Sequence, residues 1–295
     1  MRRIATIALF IAVLASDGAR HRAWGEEAGA TKPAGPTCDR AAFRLVLDVG
    51  HTAQVPGAKS ARGLHEFDFN LHLAKLIEKQ LVDAGFARTA LLVTDGPAQQ
   101  SLARRVARAN AARADLLLSI HHDSVPDRLL EKWEYNGEAH SYSDRFKGHS
   151  LFVSYENHDR RSSLLFGRLL GLALKSRGLQ YTPHYTEKIM GRRRRELLDA
   201  EAGVYRYDQL VVLKHSHMPA VLLEAGSIIN RDEELLMGTP EHQTVIGAAV
   251  LAAVEKFCQE RRPFKPERIA RPAAPAKARL HPATATVPAG AAERR

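Results

Sequence analysis

Cysteine is scarce in this chain: 295 residues carry two, Cys38 and Cys258. No zinc-finger spacing is present, and no helix-turn-helix or RNA-binding signature accompanies the formal net charge of +10, so the scattered basic residues are not read as a nucleic-acid surface. No internal repeat occurs. The apolar run from Ile4 to Ala15 is too short to span a bilayer.

That run does have a meaning. Preceded by Met1-Arg2-Arg3, it has the charged start and short apolar stretch of a secretory signal peptide, with an uncleaved membrane anchor as the competing reading. Residues 1–19 are expected to be the signal, 20–40 a linker, and the mature protein periplasmic. Export meets oxidising conditions, so Cys38 and Cys258 are candidates for one disulfide closing the whole domain. Two unrelated thiols remain the alternative, because sequence does not show how far apart their Cα atoms lie. An exported basic protein suits an anionic wall polymer or a membrane surface. Residues 263–295 are Pro, Ala, Lys and Arg with almost no large apolar side chain, so they are expected to form a disordered tail with at most weak membrane-surface contact.

Between the tails, 45% hydrophobic residues can furnish a core for one catalytic domain, placed at 41–262. Phe43 to Val49 reads as a buried strand, Glu66 to Ala84 as a helix stopped by Gly85, and Ala90 to Thr94 as a strand. Ser101 can cap the next helix, Leu116 to Ile120 is again a strand, and Leu151 to Tyr155 with Ser162 to Lys175 repeat the alternation. Pro219 to Leu223 is a strand, and Thr239-Pro240 opens a last helix reaching about Gln259. Two irregular stretches, near 124–150 and 182–207, are read as insertions or long loops. The expected architecture is α/β: a single domain with a twisted, mixed but mostly parallel sheet of about six strands and helices on both faces.

In such sheets functional groups collect where strands end. His51 follows the first strand, His121 the strand at Leu116, and Glu224 the strand at Pro219; Glu66 begins the first helix, fifteen positions after His51 across a glycine-containing loop. Two imidazoles and a carboxylate suit a catalytic zinc with one open position, and a further, non-ligating carboxylate is what a hydrolase needs to move the proton of water. On spacing alone, any of the 14 histidines at a strand end can equally be a satisfied structural residue.

Four ordered segments add to this: Leu47-Asp48-Val49-Gly50-His51 with Pro56-Gly57-Ala58; Gly63-Leu64-His65-Glu66 ahead of Asn70 and Leu71; Ala109-Asn110 and Ala114-Asp115 leading to Ser119-Ile120-His121; and Pro219 to Gly226 with Asn230. Over residues 43 to 260 the chain resembles the zinc-dependent N-acetylmuramoyl-L-alanine amidases of the amidase_3 family. The resemblance implies that His51, Glu66 and His121 bind Zn2+, that Glu224 is the catalytic glutamate, and that the substrate is peptidoglycan, cut between N-acetylmuramic acid and L-alanine. Amidases of this kind can carry a segment that covers the zinc until an activator protein removes it, so the two irregular stretches are read either as such a cover or as walls of the substrate groove; the chain itself is expected to be a monomer.

The chain departs from the family at Thr52-Ala53, where Gly-Gly is common, and at His122-Asp123, where Ala-Asn is common. His122 competes with His121 as a ligand, but neighbours on a strand point to opposite sides, which favours His121. Asp48 and Asp123 are candidates to accept the second ring N–H of a ligating histidine, with ordinary turn aspartates as the alternative. Arg192 to Arg195 reads as a solvated charge run or as a site for carboxylates, wall phosphates or membrane. Glu131, Glu134, Glu138, Glu187, Glu196 and Glu201 are the insertion carboxylates that would reach an open zinc position if one of them does. Other functions consistent with the residues are a zinc peptidase acting on stem peptides or exported proteins, and a non-catalytic wall-binding protein of the same fold.

Overall fold

The computed structural model describes residues 38–261. The expected signal peptide, nearly all of the linker and the basic tail lie outside the described residues.

The strand β1 (Arg44–Val49) is followed by α1 (Glu66–Asp83), β2 (Arg88–Leu92), α2 (Ala98–Ala111) and β3 (Leu116–Asp123). A hairpin of β4 (Glu131–Tyr135) and β5 (Glu138–Tyr142) precedes β6 (Ser150–Val153) and α3 (Arg160–Lys175). Then come β7 (Glu196–Asp199), β8 (Val204–Arg206), α4 (Val211–Lys214), β9 (Ala220–Ser227), α5 (Arg231–Met237) and α6 (Pro240–Glu260).

Seven strands form one mixed sheet in the order β2-β1-β3-β9-β6-β8-β7. The pairs β1–β2, β1–β3, β3–β9 and β6–β8 are parallel, whereas β6–β9 and β7–β8 are antiparallel. Strands β1, β3 and β9 are buried on both faces, which is why they read as continuous apolar runs. One face is covered by α1, α3 and α6, whose Leu73, Ile77, Phe166, Leu170, Val250 and Phe257 pack on Leu45, Leu118 and Leu223. The other face carries α2 and α4 over Val46, Leu117 and Leu222. Helix starts follow local chemistry: Asp159 accepts from the Ser162 N–H at α3, and Thr239 caps α6 with Pro240 at its first position.

The sheet has more strands than expected, because the stretch 182–207 contributes β7 and β8 to its edge. With four and three residues, respectively, and charged side chains at their ends, they are too short to show an alternating pattern. The stretch 124–150 contains the β4–β5 hairpin, turned by Asn136 and Gly137, both with positive φ. Leu210 to Leu213 falls at a short helix. Cys38 and Cys258 are joined in a disulfide with Cα atoms 5.2 Å apart, which ties the start of the described chain to the end of α6.

Candidate metal centre and its groove

Strand β2 lies on one side of β1 and β3 on the other, so chain connections leave in opposite directions at the C-terminal end of β1 and open a crevice there. The Gly50 N–H donates to the Ile120 carbonyl at 2.9 Å, and the backbone then turns at His51, which has φ +66°. A positive φ is uncommon outside glycine and is a conformation that surrounding structure must hold. Here Arg105 holds it, donating to the His51 carbonyl from below.

The turn aims the His51 ring at Glu66, the first residue of α1, with Nε2 3.0 Å from Oε2. The Nδ1 of His121 is 2.9 Å from the other oxygen, Oε1. Ligand atoms of His51, Glu66 and His121 all lie within 4.8 Å of one another, and this is the only such cluster among the described residues. Glu66 is buried yet surrounded by donors: the Ala58 N–H at 3.1 Å, Asn70 Nδ2 at 3.4 Å and the His122 N–H at 3.4 Å. Burial alone would raise its carboxyl, but hydrogen bonds and charge from His121 and His51 outweigh that and hold it well below the usual carboxylate range.

Two glycines make room for these side chains. A Cβ on Gly57 would lie 2.4 Å from Glu66 Oε2 and 2.7 Å from the His51 ring, and one on Gly50 would lie 2.5 Å from the His121 ring. The donor set and the close approach that only glycine permits fit a zinc ion with an open coordination position.

Glu224 lies on β9 as the register partner of His121 on β3. Its Oε2 has no hydrogen-bond partner among the described residues. Burial, followed by the nearby Asp123 and Glu66 carboxylates, pushes its carboxyl well above the usual range. A cavity of about 500 Å³ is lined by His51, Glu66, His121, Asp123, Arg193 and Glu224 among others. A second, of about 230 Å³ and walled by Val55, Leu102, Val212 and Leu222, shares His51, His121, Leu210 and Leu222 with the first.

The neighbours expected to support the ligands behave differently from expectation. Asp48 accepts from Ser119 Oγ at 2.7 Å and faces Arg105 at 3.5 Å, and Asp123 accepts from Tyr185 Oη at 2.7 Å. Neither takes a hydrogen bond from His51 or His121 in the described contacts, because each points at a buried partner of its own. Burial pushes Asp123 up to about 7, against the hydrogen bond from Tyr185. His122 is not part of the close His51–Glu66–His121 group and instead shares its Nδ1 with Asn70 Oδ1 at 2.8 Å; burial pushes it down to about 3, so the ring is neutral. Asn70, Gly57, Arg105 and Tyr185 had no role assigned from sequence; the first two fall in the ordered segments above, and the latter two carry no local signal.

Of the insertion carboxylates, Glu187 pairs with Arg145, Glu196 with Arg206, and Glu201 with Arg168 and Lys175. Glu131, Glu134 and Glu138 are exposed on the hairpin, and none of the six lines the groove. The arginine run divides: Arg193 and Arg195 line the groove, whereas Arg192 and Arg194 do not. His65, His215 and His217 also lie outside it.

A sequence model of the family described as N-acetylmuramoyl-L-alanine amidase matches residues 45–256. The N-acetylmuramoyl-L-alanine amidase AmiA of Escherichia coli is 27% identical over 225 residues, covering 72% of this chain and 75% of that protein. Among solved structures, the N-acetylmuramyl-L-alanine amidase Ami1 of Mycobacterium smegmatis superposes with a TM-score of 0.59 at 19% identity, over 75% of this chain and 99% of that one. The CwlD amidase of Clostridioides difficile, solved in complex with the GerS lipoprotein, gives a TM-score of 0.52 at 19% identity, over 73% and 98%.

Proposed function

The chain belongs to the N-acetylmuramoyl-L-alanine amidase family, and from that membership we propose that it hydrolyses the amide between N-acetylmuramic acid and L-alanine in peptidoglycan, using zinc held by His51, Glu66 and His121 and a proton moved by Glu224. The observation that carries the zinc reading is the convergence of those three side chains beside an unpartnered carboxylate oxygen. When bound, zinc supplies a Lewis acid that polarises a carbonyl and acidifies water.

The protein's own part is orientation and proton movement. Arg105 and the tight turn at His51 fix one imidazole, and packing over Gly50 fixes the other. Glu224 Oε2 accepts a proton from the attacking water and returns it to the leaving nitrogen as the carbon–nitrogen bond breaks, which leaves a muramic carboxylate and a stem peptide with a free L-alanine amine. Burial raises the proton affinity of this carboxyl above that of an exposed one, which favours its taking up the proton of water.

We infer that the protein acts outside the cytoplasmic membrane, in the periplasm, as cleavage of a wall polymer requires; no described helix is long and apolar enough to cross a membrane. Regulation by an activator protein is part of this reading, supported by the neighbour solved with a lipoprotein. Digestion of purified peptidoglycan tests it. Stem peptides beginning with L-alanine should appear, the glycan strands should be left bare, and chelation should stop release. Fragments cut within the stem would instead identify a peptidase, and binding without release a wall-binding protein.

A further inference from the structure

Arg193 and Arg195 are the cations of the run that reach the groove, and the chain path explains why. Met190 is buried as an anchor, Gly191 follows with φ +57° and ψ −121°, and the Arg195 N–H donates to the Tyr185 carbonyl at 2.7 Å. This folds the run back over the cavity that contains Glu224.

Both guanidinium groups are held in place, yet neither has a carboxylate partner among the described residues. Arg193 Nη1 donates to the Ser124 carbonyl at 2.8 Å. Arg195 Nη1 donates to the carbonyls of Arg192 and Arg194 at 2.8 and 2.9 Å, and its guanidinium lies 3.6 Å from the centroid of the Tyr207 ring. Its Nε is buried without an acceptor. By contrast, Arg62, Arg105, Arg145, Arg168, Arg206 and Arg231 are each paired with an aspartate or glutamate. Backbone bonds and ring stacking leave the remaining N–H donors directed at whatever fills the cavity, and a pre-ordered guanidinium loses less entropy on binding than a free one.

From this we propose that Arg193 and Arg195 form a subsite for a free carboxylate of the stem peptide, the α-carboxylate of its second residue. The inference rests on the proposed amidase reaction for the identity of the substrate. Two cavities meet at His51 and His121, and the scissile amide must lie between them. The apolar one offers no cation except Arg105, which is buried against Asp48, so an anion would lose its hydration there without replacement. The arginine-lined side replaces it with charge-assisted hydrogen bonds. Because that side also contains Glu224, the carboxylate it takes is one close to the bond being cut. The competing role for Arg193 is as counter-charge to Asp123 and Glu224.

The experiment compares a muramoyl peptide bearing a free α-carboxylate at its second residue with its carboxamide counterpart. The free acid should show a KM lower by about tenfold to a hundredfold, the range for hydrogen bonds to a charged group. In Arg193→Gln and Arg195→Gln that ratio should fall towards one, with Arg193→Lys recovering part of it, while Arg192→Gln, outside the groove, should keep the full ratio. Equilibrium affinities of the protein for the released peptide in its acid and amide forms give the same ratio without turnover. A ratio lost in binding on Arg193→Gln supports the subsite even if neither substrate is hydrolysed, an outcome that would remove the proposed reaction alone. Equal wild-type affinity for acid and amide overturns the subsite, as does an Arg193→Gln variant that slows both substrates equally and keeps the ratio.

Discussion

His121 and Glu224 are register partners on the adjacent parallel strands β3 and β9. Partners in register project from the same face of a sheet, so strand pairing itself sets the carboxylate proposed to move the proton beside an imidazole proposed to bind zinc. Glu224→Gln keeps shape and removes the base. Bound zinc per chain should stay at the wild-type level while peptide release falls about 10²–10⁴-fold, the usual contribution of general-base catalysis. Release at the wild-type rate would eliminate Glu224 from the mechanism.

Gly57 meets two of the proposed ligands at once. A methyl there collides with Glu66 Oε2 and the His51 ring, and its φ of +81° already disfavours any side chain. Gly57→Ala is expected to weaken zinc binding about 10–100-fold, the range seen when groups supporting a metal site are disturbed. Competition titration against a chromophoric chelator measures it, and circular dichroism separates local damage from unfolding.

Much of this arrangement is legible in the chain itself. Strands β1, β3 and β9 stand out because both faces are buried, leaving apolar runs interrupted only by Asp48 in β1 and Ser119 in β3, with His51, His121 and Glu224 towards or just past their C-terminal ends. Harder to read are β7 and β8, held by pairing with distant β6 rather than by local pattern. The hairpin has a local signal in Asn136-Gly137, masked by its charged and aromatic surroundings. Asp48 is placed by sequence in the right neighbourhood but with the wrong partner, because its pairing with Arg105 spans 57 residues and no spacing rule reaches that far. The same holds for Asp123 and Tyr185, 62 residues apart.

The Cys38–Cys258 disulfide closes a loop with a sequence separation of 220, around nearly all of the described domain. Loop closure of this size restricts the unfolded chain strongly, and losing a native disulfide typically costs about 2–5 kcal/mol. Cys38→Ser with Cys258→Ser should lower the free energy of urea unfolding by that amount while leaving zinc content and peptide release at 25 °C near wild type, since both cysteines lie away from the groove. Unfolding of wild-type protein in the presence of reductant should approach the double variant. An unchanged midpoint in both experiments would show that the bond contributes nothing to stability.

His149 is buried beside the start of β6, at 3% exposure. Burial pushes its ring down to about 4, from an ordinary value of 6.5, with a backbone hydrogen bond at Gln180 opposing only part of the effect. The folded state thus holds the ring neutral where the unfolded chain would protonate it. Stability from this residue is fully present above pH 6.5 and is lost as pH falls from there to about 4, where the folded state begins to take up the proton as well. Each tenfold difference in proton affinity between the two states is worth about 1.4 kcal/mol, so the loss is on the order of a few kcal/mol. His184, also pushed down to about 4 by burial, adds to the same slope. Urea midpoints between pH 7 and pH 4 should therefore fall steeply in wild type and less steeply in His149→Gln. Parallel pH profiles for the two proteins would show that His149 does not titrate on unfolding.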